Sequence, residues 1–345
     1  MSNILILGAG SMGTAFSFPC SDNNHSVTIV GTHLENNFID KINNQKIHPA
    51  LGCKIPKNVS FVKFENLSSA VAKDVNLIVV AVTSQGIEWA GIELSKVLKK
   101  NIPILILTKG LSVFENKYEI LAHKMERLLK SKGINENNIS AAGGPCLAKG
   151  LANRVHTSVI FANSDINIVK NLSKMISTEY YHVFTSTDVA GVEICAAIKN
   201  IFSMAIGASK GLCAENLPTR IREENYLNTA ASLIQESIYE MIYFVEKLNG
   251  KKETVIGLAG LGDLYVSADG GRNSKMGEYL GLGMTYKEAK ATKMLNETVE
   301  GAQLIFEIGS KIIKDYDAET LPLMTAMVNT ILKEKPLSIE WKKFK

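Results

Sequence analysis

"NILILGAGSMGTAF", Asn3 to Phe16, decides the fold. Its first five residues, Asn3 to Leu7, are short, apolar and partly β-branched, as suits a strand buried inside a parallel sheet. They run directly into GxGxxG, with glycines at 8, 10 and 13. Such a turn needs Gly8 for a tight bend, Gly10 for close approach of a pyrophosphate, and Gly13 to pack the next helix on the strand. Ser11 and Met12 open that helix, whose free N–H groups and positive dipole end suit a phosphate. A second strand, "SVTIVG" at Ser26 to Gly31, completes a βαβ unit. Glycine-rich turns alone are common; the strand before and the helix and strand after point to a dinucleotide, NAD or NADP.

In such folds an acid after the second strand commonly holds the ribose 2′-hydroxyl of NAD. Here the strand exits into "VGTHLEN", so Thr32 and His33 come first and Glu35 follows. A hydroxyl and an imidazole tolerate a 2′-phosphate better than a carboxylate does, which favours NADP. Glu35 remains an alternative ribose ligand, and Thr32 and His33 also read as ordinary loop residues.

The alternation continues through "VNLIVVAV" (Val75 to Val82), "IPILILTKG" (Ile102 to Gly110) and "ISAAGGP" (Ile139 to Pro145). Ligands of open α/β sheets sit beyond the carboxyl ends of the strands. Thr83, Ser84, Lys109 and Cys146 all lie just past such ends. Beyond about Asp188 the pattern turns helical, with helices expected over Val189–Gly211, Arg222–Leu248, Lys287–Met294 and Glu300–Ile313. The expected fold is therefore α/β plus all-α. A doubly wound, mainly parallel Rossmann-type sheet occupies residues 1–188, and a helical domain residues 189–345. One stretch, Gly257 to Gly283, reads as a glycine-rich loop carrying Asp263, Arg272, Asn273 and Lys275. Arg272 offers a planar fork suited to a phosphate, although a plain surface loop has similar composition.

"EICAAIKNIFSMAIG", Glu193 to Gly207, reads as a helix that is apolar almost all round, hence buried. Lys199 stands in its middle, followed by Asn200. A buried ammonium is normally neutralised or paired, because desolvating it alone costs several kcal/mol.

Bulk composition narrows the function classes. The chain has 345 residues, 46% hydrophobic and 21% charged, with a formal charge of +4. That small, scattered excess gives no reason to expect nucleic acid. Five cysteines (Cys20, Cys53, Cys146, Cys195, Cys213) form no CxxC pair and no metal-ligand spacing with the six histidines, so no metal is expected and reduced thiols in the cytoplasm are. The apolar start lacks a basic leader and breaks at glycine, unlike a signal peptide, and no membrane span is expected.

In order along the chain, "GAGSMG", "LTKG", "GGPCLAKG", "EICAAIKNIFSMAIGASKG", "GLGDL", "GGRN" and "VEG" closely resemble NAD(P)-dependent sn-glycerol-3-phosphate dehydrogenase. "VTSQG" and "HPALG" look more like its archaeal branch. The resemblance implies reversible oxidation of sn-glycerol 3-phosphate to dihydroxyacetone phosphate, supplying glycerol phosphate for phospholipid or surface-polymer synthesis. It implies that Lys199 is the general acid/base, with burial and a second cation bringing its pKa toward neutrality. Lys109 would touch substrate and cofactor, Asp263 would orient Lys199, and Arg272 with Asn273 would bind phosphate. Gly144, Cys146 and Asn200 fall at substrate contacts; Ala148, Arg272 and Glu300 fall at cofactor contacts.

The chain departs from the family at Cys146, where Ser, Thr or Ala is usual, and at Gly150, where a carboxylate is. "LIQESIYEM" carries Gln235 and Glu236 where the family commonly has an arginine. These departures leave the exact substrate open, so another phosphorylated polyol or a hydroxy acid is the alternative. A non-catalytic dinucleotide-binding protein is a further one. Physiological direction and oligomeric state also stay open, a homodimer among the options.

Overall fold

The computed structural model describes residues 1–98, 101–135, 138–213 and 225–345. They divide into two compact units, Met1–Lys109 with Ile120–Val192, and Gly110–Glu119 with Glu193–Lys345. The strands in chain order are β1 (Asn3–Leu7), β2 (Ser26–Val30), β3 (Val59–Val62), β4 (Leu77–Val80), β5 (Ile104–Ile106), β6 (Leu111–Phe114), β7 (Lys117–Ile120), β8 (Ile139–Gly143), β9 (Thr157–Ala162) and β10 (Tyr181–Ser186).

The first unit is built on one eight-stranded sheet of order β10-β9-β8-β5-β4-β1-β2-β3. Pairing is parallel throughout except between β8 and β9, where Ala141 faces Ala162 in an antiparallel step. β1 pairs with β2 on one side and β4 on the other, placing Leu7 between Val30 and Val80. The winding reverses at β1, so the glycine turn leaves the sheet at its topological switch point. β1 and β4 are buried along almost their whole length, which is why they read as unbroken apolar runs. β3, β9 and β10 are additional to the strands the sequence pattern suggested. β3 and β10 lie at the two edges, and both interleave polar with apolar residues as half-exposed strands do.

The second unit is helical, and it also includes the β6–β7 hairpin, which a single division of the chain near residue 188 does not anticipate. β6 packs on the Glu300–Asp315 helix, and Lys311 from that helix sits 5.0 Å from the Tyr118 ring centroid. The unit's central element is the Val189–Gly207 helix, followed by a short Ser209–Leu212 turn. Among the described residues it is the one helix long and apolar enough to cross a membrane, and nearly all of it is buried inside the protein. The next long helix is Leu227–Lys247, and its expected start at Arg222 lies outside the described residues.

The stretch expected as a glycine-rich loop is helical instead. Leu258–Gly262 forms a π-helical turn, and Asp263–Ala268 and Arg272–Gly281 are α-helices. Gly277 and Gly281 within it are contact positions rather than hinges. A Cβ on Gly277 would lie 1.8 Å from the Met204 carbonyl oxygen, and one on Gly281 would lie 2.2 Å from that of Ala208. The Arg272–Gly281 helix thus meets the central helix backbone to backbone. The packing gained outweighs the roughly 1 kcal/mol by which each glycine disfavours a helix.

Candidate active site

In the first unit the glycine turn has the shape an anion needs. Gly8 holds φ at +111°, and a Cβ there would sit 2.7 Å from the Ala81 carbonyl oxygen. Around Gly10, by contrast, a Cβ would meet nothing within 4 Å. That open space lies at the cap of the Ser11–Asp22 helix, where no side chain bonds the first N–H groups. Those N–H groups of Ser11, Met12 and Gly13 are the orphan donors of a helix start, and they fit a pyrophosphate.

Beyond β2, Glu35 turns back toward this loop. Its Oε2 accepts hydrogen bonds from the backbone N–H of Thr32 at 2.7 Å and of Ala9 at 3.2 Å. Thr32 is half-buried, and His33 is exposed with its ring 5.2 Å from that of Trp89. Of the three candidates after β2, Glu35 is the one whose side chain is joined to the glycine turn.

Lys109 follows β5 and donates from Nζ to the carbonyl oxygen of Gly144, at 3.5 Å, just beyond the neighbouring strand β8. Gly144 has φ +113°, and a Cβ would come within 3.2 Å of Val159 Cα. Cys146 is half-buried, and Ala148 begins the short Ala148–Ala152 helix that contains Gly150. Lys109, Gly144, Cys146 and Ala148 therefore share the carboxyl-end rim of β5 and β8.

In the second unit Lys199 is buried and has partners. Its Nζ lies 3.0 Å from Asp263 Oδ1 and also hydrogen bonds the Ser267 hydroxyl. Lys199 is 5% exposed and Asp263 2%. Asp263 and Ser267 are one helical turn apart on the Asp263–Ala268 helix, so one face presents both. Ser267 was not among the sequence candidates; reading 263–268 as helix would have placed it beside Asp263.

A second group adjoins the first. Asn273 donates from Nδ2 to Asn200 Oδ1 at 2.9 Å, and its own Oδ1 accepts from the Gly301 N–H at 2.9 Å. Asn200 also donates to Glu300 Oε2 at 3.4 Å, while Arg272 Nη2 pairs with Glu300 Oε1 at 3.3 Å. The Asn200–Asn273–Gly301 chain is buried and satisfied, which fixes three helices together. The Arg272–Glu300 pair at its end has side chains about half exposed, 52% and 48%. Such a pair contributes little to stability and exchanges easily for another anion.

Glu236, the acid at the departed position, lies elsewhere in this unit and accepts from the Lys345 N–H at 3.0 Å. One turn on, Glu240 accepts from the N–H groups of Leu323 and Met324 at the start of the Pro322–Leu332 helix. Burial pushes Glu240 up to about 8, against those two N–H groups, and the nearby Glu236 charge adds to the rise.

Residues 3–169 match the model of the NAD-dependent glycerol-3-phosphate dehydrogenase N-terminus, and residues 188–341 that of its C-terminus. An NADP(+)-dependent glycerol-3-phosphate dehydrogenase of Archaeoglobus fulgidus is 31% identical over 90% of this chain and 91% of its own. A glycerol-3-phosphate dehydrogenase [NAD(P)+] of Francisella tularensis is 30% identical over 90% of this chain and 88% of its own. The fold is shared with a Plasmodium falciparum glycerol-3-phosphate dehydrogenase at TM-score 0.83 and 22% identity, covering 99% of this chain and 95% of that one. It is shared with the Coxiella burnetii enzyme at TM-score 0.79 and 24% identity, covering 97% and 96%.

Proposed function

The chain belongs to the NAD-dependent glycerol-3-phosphate dehydrogenase family, and from that premise we propose that it interconverts sn-glycerol 3-phosphate and dihydroxyacetone phosphate. The observation that carries the reading is the buried Lys199, held by Asp263 and Ser267 beside the Asn200–Asn273 chain. A nicotinamide dinucleotide supplies the hydride in one direction and accepts it in the other. The glycine turn, with its open space at Gly10 and uncapped helix start, is the part of the chain assigned to hold its pyrophosphate.

Proton transfer is assigned to Lys199. In the reductive direction its ammonium gives a proton to the carbonyl oxygen as C2 gains hydride, yielding the secondary alcohol and a neutral amine. In the oxidative direction the neutral amine takes the hydroxyl proton as hydride leaves C2. An ammonium facing a carboxylate at 3.0 Å is charge-compensated, so the arrangement suits the donor form needed for ketone reduction. Arg272, by giving up Glu300, offers a fork to a phosphate oxygen, and Asn273 stands beside it. Phosphate binding remote from the reacting carbon then helps to orient it. Lys109, with its Nζ at the rim of β5 and β8, is assigned to the anionic charge that the first unit's ligands bring.

The test is a steady-state comparison of dihydroxyacetone phosphate with other phosphorylated ketoses and 2-keto acids, using NADH and NADPH in turn. Highest kcat/KM with dihydroxyacetone phosphate is expected. A rate no better than background with it overturns the assignment, and a higher rate with another ketose reassigns the substrate.

A further inference from the structure

The turn that delivers Glu300 and Gly301 to the site is gathered around one ammonium. Lys290 lies in the last turn of the short Tyr286–Thr292 helix and is half-buried. Its Nζ donates to three backbone carbonyl oxygens, those of Met294 at 2.6 Å, Leu295 at 2.9 Å and Glu297 at 2.8 Å. A lysine ammonium carries three N–H donors, and here each meets one carbonyl. The Glu297 side chain points elsewhere, to Lys275 Nζ at 3.4 Å on the Arg272–Gly281 helix.

Three carbonyls that aim their negative ends at one point repel one another unless a cation stands there. A charged donor also bonds each of them about twice as strongly as a neutral one, so the ammonium dictates the backbone path from 294 to 297. Side chains give that path little hold of their own. Met294 and Val299 are buried at its two ends, but Leu295 is 69% exposed, and Asn296 and Thr298 are exposed as well. No side chain caps the Glu300–Asp315 helix into which the turn leads.

The first two residues of that helix carry contacts of the site. Glu300 accepts from Asn200 and Arg272, and the Gly301 N–H donates to Asn273 Oδ1. We infer that Lys290 is a positioning residue of the site, acting through the 294–297 turn to fix where Glu300 and Gly301 meet Arg272, Asn200 and Asn273. It touches none of these itself. The inference rests on the dehydrogenase reading for the phosphate role of Arg272 and Asn273, and one of its two measurements needs no substrate.

Lys290→Met removes the ammonium and keeps an unbranched stem. KM does not depend on what fraction of a preparation is folded, so a variant that only loses stability lowers Vmax and leaves KM alone. KM for dihydroxyacetone phosphate is expected to rise at least about fivefold. The second measurement is amide hydrogen exchange, with isotopic labelling of glycine, at Gly301 and at Gly309, which is buried in the same helix. General destabilisation speeds exchange at both, whereas loss of the carbonyl cage speeds Gly301, by at least about tenfold, and leaves Gly309 within about twofold of the parent. If Lys290→Met does not fold, Lys290→Gln, which keeps two N–H donors without the charge, is read by the same two measurements. A KM within about twofold of the parent, or equal acceleration at the two glycines, overturns the inference. A parent that does not turn over dihydroxyacetone phosphate overturns the dehydrogenase reading instead, and the two glycines still decide the role of Lys290.

Discussion

Replacing Asp263 with alanine removes the carboxylate that faces Lys199 and leaves an ammonium 5% exposed beside the neutral Ser267 hydroxyl. Breaking a buried pair from one side costs about 3–5 kcal/mol, because the surviving charge keeps its desolvation penalty and loses its compensation. For a helical unit of this size that corresponds to a fall in melting temperature of roughly 6–20 °C. Lys199→Met takes the ammonium away from the buried Asp263 carboxylate and should cost a similar amount. The double variant Lys199→Met/Asp263→Ala removes both charges of the pair, so its loss should be at least about 2 kcal/mol smaller than the sum of the single losses, on the order of a buried-pair coupling. Thermal and urea unfolding of the four proteins at one pH close the cycle. Equal single-variant effects that simply add, or an Asp263→Ala protein melting within about 1 °C of the parent, would show that the pair is not charge-coupled. The assay is informative because the half-exposed Arg272–Glu300 pair provides an internal contrast: Glu300→Gln should change stability by less than about 1 kcal/mol.

Arg272→Ala should leave the melting temperature nearly unchanged and raise KM for dihydroxyacetone phosphate by ten- to a hundredfold, on the order of one lost charge-assisted contact; an unchanged KM contradicts its phosphate role. Glu240 predicts a stability slope with pH. Its folded pKa of about 8 lies above the ordinary glutamate value of 4.5, so its contribution is complete below about 4.5 and is lost as pH rises toward 8. Unfolding free energy should therefore fall by up to about 1.4 kcal/mol per pH unit across that window, and Glu240→Gln should flatten the fall; a slope identical in the two proteins refutes it. Gly10→Ala and Gly277→Ala should separate function from folding. The first meets nothing within 4 Å and should fold normally with weakened dinucleotide binding, while the second meets the Met204 carbonyl oxygen at 1.8 Å and should lose about 1–3 kcal/mol or more. Equal melting temperatures for the two variants would contradict the packing argument.

How much of this was legible in the sequence depends on the scale at which each residue acts. β1, its glycine turn and β2 could be read directly because local composition dictates them: buried parallel strands are unbroken apolar runs, and the turn carries its own steric requirement at Gly8. Lys199 was legible as an anomaly, a charge in a helix with no polar face. Its partner Ser267 was not, because the glycines around it argued for a loop while tertiary contacts made it helix. Gly277 and Gly281 disfavour a helix in isolation and permit one only against the Met204 and Ala208 backbone, which no local window contains. Glu35 stayed one of three readings for a similar reason. Its position three residues past Thr32 was visible, but its return to the Ala9 N–H requires the β2 exit to fold back on the glycine turn.

The same glycines connect packing to chemistry within the second unit. Gly301 is buried where a Cβ would lie 2.4 Å from the Asn200 carbonyl oxygen, so the Glu300–Asp315 helix approaches the central helix as closely as the Arg272–Gly281 helix does. Only at that separation can Asn273 reach Asn200 with one end of its amide and the Gly301 N–H with the other. Asn200 is the residue after Lys199, so the contact that sets the helix spacing also sets the rotation of the helix that carries the amine. Enlarging Gly301 should therefore disturb catalysis as well as stability. Gly301→Ala is expected to lower kcat by at least tenfold in whatever fraction remains folded, since a displacement of about 1 Å at a reacting group can cost on the order of a hundredfold. Gly309→Ala supplies the control in the same helix: its Cβ would meet side-chain carbons of Leu332 and Val328 at 3.0 and 3.1 Å, with no residue of the site among them. It should lower stability with kcat per folded molecule unchanged. Equal kcat in the two variants, normalised to folded protein, would break the link between helix spacing and the position of Lys199.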